Sequence, residues 1–298
     1  MLRIRRDQFT YEFSPTTPPV ATIEPGERVV FETYDASTGR IRKAGDLAAY
    51  LKIRDPRKVN PAAGPILVRG AQPGDELVVT IEKIDLTEQG YIRAAPGGVA
   101  DGIEEPAAII VPHVDGYLYL PGGIRLPARP MVGVIGTAPA DGIVYTAVPG
   151  PQGSNLDCNA ICVGARVHLP VHVPGALLAL GDVHAAMGDG EVSGTGVEIN
   201  AAVTATVDLL PGGAHPRPWI ETNSGFVSTG SAPTIEEAVR IAVDGLIRLI
   251  QERRSVSRLE AYMLISAYGD VHIGQSCGGL DATVYAHFPR LITEGVGV

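Results

Sequence analysis

From residue 8 to about residue 210, short runs of β-branched and aliphatic residues recur, each closed off by glycine or proline. This punctuation constrains the fold more than any other feature, because it leaves no room for the helices that a parallel βαβ sheet needs between its strands. Arg28-Val-Val-Phe-Glu-Thr-Tyr34 follows Pro25-Gly26, and Glu76-Leu-Val-Val-Thr-Ile-Glu-Lys-Ile84 follows Pro73-Gly74-Asp75. In the second run Leu77, Val79 and Ile81 share one parity, so one face of a strand there is apolar throughout. Further strands are expected at Arg166–Val173, where Pro170 marks an edge or a bulge, and at Ala201–Leu210. The 36 glycines and 24 prolines suit many turns, and the fold class that follows is mainly β, a sandwich or a barrel.

The pattern changes after Pro211-Gly212-Gly213. From Thr234 to about Arg254, Ala238, Ile241, Ala242, Leu246, Leu249 and Ile250 recur at helical spacing, and Thr234 with Glu237 reads as a capping box. Ser257 with Glu260 repeats the signature and opens a second helix through about Ala267. One short helix is expected earlier, at Asp46–Lys52, and a closing strand at Asp281–Phe288. The expected organisation is a β-rich body over 1–210 that holds the site, with an α+β unit over 211–298 packed on it.

The charge balance excludes several partners. A formal net charge of −9 leaves no basic footprint for nucleic acid or anionic lipid. No run approaches the ~20 apolar residues of a membrane span. The first ten residues carry Arg3, Arg5 and Arg6 with no apolar stretch behind them, so no secretory signal is visible and a cytoplasmic protein is expected. Three cysteines, Cys158, Cys162 and Cys277, are too few for a disulfide framework, and Cys277 reads as a small buried thiol before a turn. The nucleophile elbow, the phosphate-binding loop and the HExxH zinc helix are all missing.

One segment concentrates polar chemistry: Gly181-Asp-Val-His-Ala-Ala-Met-Gly-Asp-Gly-Glu191. Asp182 and His184 share a face of an extended chain, and Asp189 and Glu191 do so across a turn that Gly188 and Gly190 permit. Three carboxylates and an imidazole supply the oxygen and nitrogen donors of a metal site, or paired acid/base groups. The plainer alternative is a Gly-Asp-Gly turn with surface carboxylates. A second cluster, Gly153-Ser-Asn-Leu-Asp157, puts Asn155 and Asp157 on one face, or else forms an Asx-turn. The remaining histidines read as core or surface residues rather than ligands.

These segments in order resemble the acetamidase/formamidase family over nearly the whole chain. The resemblance is carried by Asn60-Pro-Ala-Ala-Gly-Pro-Ile66 with Gly70-Ala-Gln-Pro-Gly-Asp75, by Pro130-Met-Val-Gly-Val-Ile-Gly-Thr-Ala-Pro139, and most specifically by Gly181–Glu191. It implies hydrolysis of short aliphatic amides such as formamide or acetamide to a carboxylate and ammonia. It also implies a β-rich, jelly-roll or sandwich-like fold, a small neutral amide as substrate, a homodimer or larger homo-oligomer, and a divalent metal, with Zn²⁺ the first choice. On that basis Asp182, His184 and Asp157 are expected to hold the metal. Glu191 is expected to be the general base, with Asp189 orienting it or joining the coordination. Asn155 and Gln152 are expected to bind the amide. One departure stands out: Gln152 occupies the position of the family's usual histidine, and Gln cannot take a proton near neutral pH. That substitution motivates two alternatives, a protein that binds small amides without hydrolysing them, and a hydrolase of a different carbamoyl or acyl amide.

Overall fold

A computed structural model of the chain describes residues 1–276 and 281–290, so Cys277 lies outside the described residues. The described residues are mostly β, with three α-helices, as expected, and the strands do not close into a barrel, which leaves the sandwich-like alternative. Glu27–Thr33 pairs antiparallel with Glu198–Leu210, whose other edge pairs antiparallel with Glu76–Ala94. Val29 and Phe31, Leu77, Val79 and Ile81, and Val203, Ala205 and Val207 come from these three strands at alternate positions. All are fully buried in one core. Ala62–Val68, Leu178–His184 and Met131–Gly136 form a second group of antiparallel neighbours, with Gly153–Asn155 on the far edge. Ile66, Leu178, Leu180, Val132 and Ile135 enter the same core, and each large aliphatic side chain buried there contributes about 1.5–3 kcal/mol. The two groups are stitched together where His184 stands opposite Glu198 in the ladder.

Two strands differ in length from the sequence reading. Glu76–Ala94 runs ten residues past Ile84, pairing with Ala107–Val114. Polar residues face outward over that extension, so no apolar run announces it. Arg166–Pro170 stops before Val171. Its first three residues are flanked by Glu76–Ala94 and by Trp219–Glu221, but past His168 it has a single neighbour, where a residue without an N–H is tolerated.

The helices are α1 (Asp46–Ile53), α2 (Ile235–Arg253) and α3 (Arg258–Tyr268). Ser257 and Glu260 make the full capping box on α3. At α2 the Thr234 hydroxyl accepts from the Glu237 N–H, but the Glu237 carboxylate accepts a hydrogen bond from the Thr234 hydroxyl instead of reaching the cap backbone. Ala238, Ala242, Leu246 and Ile250 of α2 and Ala261 and Ile265 of α3 form a second core with Trp219, Phe226, Val284, Ala286 and Phe288. Cys158 and Cys162 are free thiols. No helix among the described residues is long and apolar enough to cross a membrane.

Candidate active site

The site forms at the seam between the two strand groups. Leu178–His184 delivers Asp182 and His184, and His184 meets Glu198 directly across the ladder. The pairing of Glu198–Leu210 with Glu76–Ala94 slips between Ile199 and Ala201, a bulge immediately beside Glu198. Opposite it, Gly90 permits close approach, since a Cβ there would stand 2.4 Å from the Glu198 carbonyl oxygen. Asp157 arrives from the loop after Gly153–Asn155, and its N–H donates to the Gly133 carbonyl. Gly133 is needed for the same reason as Gly90: a Cβ would lie 2.7 Å from Asp157 Oδ1 and 2.8 Å from the Asp182 carbonyl. Glu191 follows a turn through Gly190 that is held by the strand Asp270–Gln275, where Gly190 bridges Gln275 and its N–H donates to the Ile273 carbonyl.

Asp157, Asp182, His184, Glu191 and Glu198 are all buried, none more than 7% exposed. His184 Nε2 lies 3.2 Å from Glu198 Oε1, 3.8 Å from Asp182 Oδ1 and 4.0 Å from Glu191 Oε1. Two overlapping triads, Asp157–His184–Glu191 and Asp182–His184–Glu198, each bring their donor atoms within 4.8 Å of one another. Some of these groups are anchored: Glu191 Oε1 accepts from the Gly196 N–H and Glu198 Oε2 from the Ala36 N–H. Others make no aligned hydrogen bond, namely Asp157 Oδ1, Asp182 Oδ1 and both ring nitrogens of His184, whose Nε2 has only the charge contacts to the carboxylates around it.

Electrostatics follow from this crowding. Burial, then the Glu191 charge, pushes the Asp157 carboxyl well above the usual carboxylate range, and burial, then Glu198, does the same to Asp182. Burial works against a charged His184, but Glu198, Asp182 and Glu191 outweigh it and hold the imidazole well above its ordinary value. Four carboxylates around one imidazole leave an excess of buried negative charge, which is costly without a counter-charge. The residues fit a divalent cation. Donor atoms bound to one ion at about 2.0–2.2 Å stand roughly 3–4 Å apart, the spacing found around His184 Nε2. The unpartnered atoms are carboxylate oxygen and imidazole nitrogen, a donor set that Zn²⁺ accepts.

Four of the sequence-predicted residues, Asp157, Asp182, His184 and Glu191, therefore converge. Asn155 lines the cavity above them, its Oδ1 accepting from Asn60 Nδ2 at 3.0 Å. That cavity encloses about 450 Å³. Gln152 is buried but does not line it, its Nε2 turned to the Gly153 carbonyl. Asp189 lies outside the cluster: the turn reverses the chain between Asp189 and Glu191, so their shared parity does not put them on one face. The Asp189 carboxylate accepts instead from Tyr285 Oη at 2.5 Å and Asn159 Nδ2 at 2.8 Å, and faces His272 Nδ1 at 3.0 Å. Burial raises the Asp189 carboxyl, but those three contacts outweigh it and hold it below its ordinary value. Glu198, which the sequence reading passed over, joins the cluster. The available signal was a carboxylate at the head of the largely apolar stretch 198–207, a placement that is costly unless the charge has a partner.

Residues 4–148 and 142–275 match the sequence profile of the Acetamidase/Formamidase family. The crystal structure of an acetamidase from Bacillus halodurans superposes with a TM-score of 0.90 at 36% identity, over 97% of each chain. A predicted acetamidase/formamidase from Thermoanaerobacter tengcongensis gives 0.91 at 35% identity, over 97% of this chain and 95% of that one. A putative formamidase of Schizosaccharomyces pombe is 29% identical over 261 residues, which are 67% of this chain and 63% of that protein. The chain thus spans under two thirds of that curated relative.

Proposed function

The chain belongs to the acetamidase/formamidase family, and from that premise we propose that it hydrolyses the C–N bond of amides to a carboxylate and ammonia. The observation that carries the reading is the buried knot of four carboxylates and one imidazole, three of whose members, Asp182, Glu191 and Glu198, line a cavity, with donor atoms left unpaired. Amide hydrolysis requires a proton acceptor for the attacking water, a donor for the carbonyl oxygen and a proton for the departing nitrogen. Glu191 takes the proton from water, and the Gly196 N–H bonded to its Oε1 fixes the carboxylate's direction. Asn155, with its Oδ1 occupied by Asn60, turns its Nδ2–H to the substrate carbonyl as negative charge builds there. Glu191 then returns the proton to the nitrogen, and ammonia leaves. Asp157, Asp182, His184 and Glu198 would hold a divalent cation, which when bound supplies Lewis-acid polarisation and acidifies water. Asp189 acts at one remove, fixing the turn that presents Glu191.

The departure at Gln152 favours neither alternative function, because that side chain faces away from the cavity. An ammonia-release assay over formamide, acetamide, propionamide and urea tests the proposal, run with native protein, chelator-stripped protein and protein resupplied with Zn²⁺ or Mn²⁺. Turnover of at least one simple amide, lost on stripping and restored by metal, is the expected result. Amide affinity without ammonia would replace the hydrolase with a binding protein. Full activity in metal-free protein would remove the cation from the account.

A further inference from the structure

We infer that this site takes an amide whose far end carries a carboxylate, the monoamide of a short dicarboxylic acid being the simplest form. The inference rests on the amide-hydrolase reading and deepens it. Formamide and acetamide have three and four heavy atoms and fill roughly 100 Å³ at about 30 Å³ per water-sized group. The cavity holds about 450 Å³, so most of its space lies beyond the reacting amide.

The wall of that surplus space is not neutral. Arg54, which caps the C-terminal end of α1, and Arg93, near the end of Glu76–Ala94, both line it. Neither enters an ion pair among the described residues, although most cavity-lining charge belongs to carboxylates. Arg93 is held firmly, its backbone N–H donating to Thr195 Oγ1 and its carbonyl accepting from the same hydroxyl, on the loop that follows Glu191. Tyr50, one helical turn before Arg54, ties the arginines to the carboxylate floor. Burial raises its phenol, the Arg54 and Arg93 charges and the hydrogen bond from Arg54 lower it, and Glu198 raises it, so one buried hydroxyl feels all three. The cavity lining is therefore bipolar, combining the carboxylates of Asp182, Glu191 and Glu198 with two guanidiniums that make no ion pair among the described residues.

Guanidinium presents paired N–H donors that match the two oxygens of a carboxylate, and two arginines outside any ion pair among the described residues, one of them bonded to the Tyr50 phenol, keep donors for it. A monoanion suits this site better than phosphate, because the acidic floor and a net charge of −9 oppose a second negative charge. A substrate of this kind would anchor its carboxylate between Arg54 and Arg93 and extend its amide to Asn155 and Glu191.

The test compares succinamate with isohexanamide, a neutral amide of the same heavy-atom count and branching, using acetamide as reference. We expect kcat/KM for succinamate to exceed that for isohexanamide by at least about tenfold, the low end for charge-assisted hydrogen bonds, and the ratio to shrink with salt. The double variant Arg54→Gln/Arg93→Gln should lower the ratio about tenfold, and Arg93→Lys alone should keep part of it. Both are read as ratios within one protein, with circular dichroism to verify folding. Equal or better turnover of isohexanamide by native enzyme that hydrolyses acetamide overturns the inference and leaves the amidase reading standing. A ratio unmoved in the double variant also overturns it. No ammonia from any of the three amides removes the underlying reading, and this inference with it.

Discussion

Three of the five clustered residues, Asp157 (φ 42°), Asp182 (φ 51°) and Glu191 (φ 44°), occupy the left-handed region that non-glycine residues avoid. Each such residue costs about 1–2 kcal/mol, and outliers of this kind gather where a side chain must be aimed rather than merely packed. Aim is what the proposed acid/base role demands of Glu191. Glu191→Gln keeps the shape and the bond from Gly196 but cannot accept a proton. It should lower turnover at least about a hundredfold while bound metal, measured by elemental analysis, stays at the native level. A variant with undiminished turnover would move the base elsewhere. Single residues were also where the sequence was legible or opaque for physical reasons. Asp182 and His184 sit on a regular strand, so alternation put them on one face. Asp189 and Glu191 straddle a turn through Gly190 (φ 94°), where period-two reasoning fails. Glu198 was hidden because its partner His184 is fourteen residues away, and cross-strand pairing leaves no local mark.

Among the elements, helices announced themselves and the long strands did not. The apolar period of α2 and the capping signature of α3 are local properties, and both helices fall within a residue or two of their expected limits. The outer half of Glu76–Ala94 depends on Ala107–Val114 as a partner, which no local pattern specifies. The junction of helix and sheet has its own weak point. Gly230, in the strand Gly225–Ala232 beneath α2, has no room for a Cβ, which would stand 2.2 Å from the Ala238 carbonyl oxygen and 2.7 Å from the Ala242 nitrogen. Both atoms are helix backbone, so α2 as a whole must lift. Gly230→Ala should cost about 1–3 kcal/mol, and Ser257→Ala, which removes one cap of α3, about 1 kcal/mol. Thermal melts of the two variants check the order. A Gly230→Ala protein as stable as the native one would mean that the helix is not seated on this strand.

At the scale of the whole molecule, one buried knot joins the two cores. Glu76 accepts from His168 Nδ1 at 2.7 Å and Trp219 Nε1 at 3.1 Å, and the His168 ring stacks on Trp219 with centroids 3.6 Å apart. Trp219 belongs to the helical core, whereas Glu76 and His168 stand on strands of the body. Burial raises the Glu76 carboxyl, but the bonds from His168 and Trp219 outweigh it and hold it below 4.5. Burial also holds His168 below 6.5, against the pull of Glu76, and its Nε2 has no partner to receive a second proton's bond. Both shifts act in the same direction. Below about pH 6.5 the unfolded histidine takes up a proton that the folded one refuses, and below 4.5 the unfolded carboxylate does likewise. The contribution of this pair to folding stability should therefore fall from pH 7 towards 4, and in urea titrations stability should drop less on acidification through the upper part of that range in His168→Gln than in native protein. An unchanged slope would release His168 from the knot. The tie of Gly190 to Asp270–Gln275 has a consequence for biosynthesis. Ribosomes emit the chain from its amino end, so Asp157, His184 and Glu191 emerge long before the strand that holds the turn beside them. A nascent chain halted before residue 270 would carry every proposed ligand and base yet lack the clamp, and would have no working enzyme to offer until translation had passed that point.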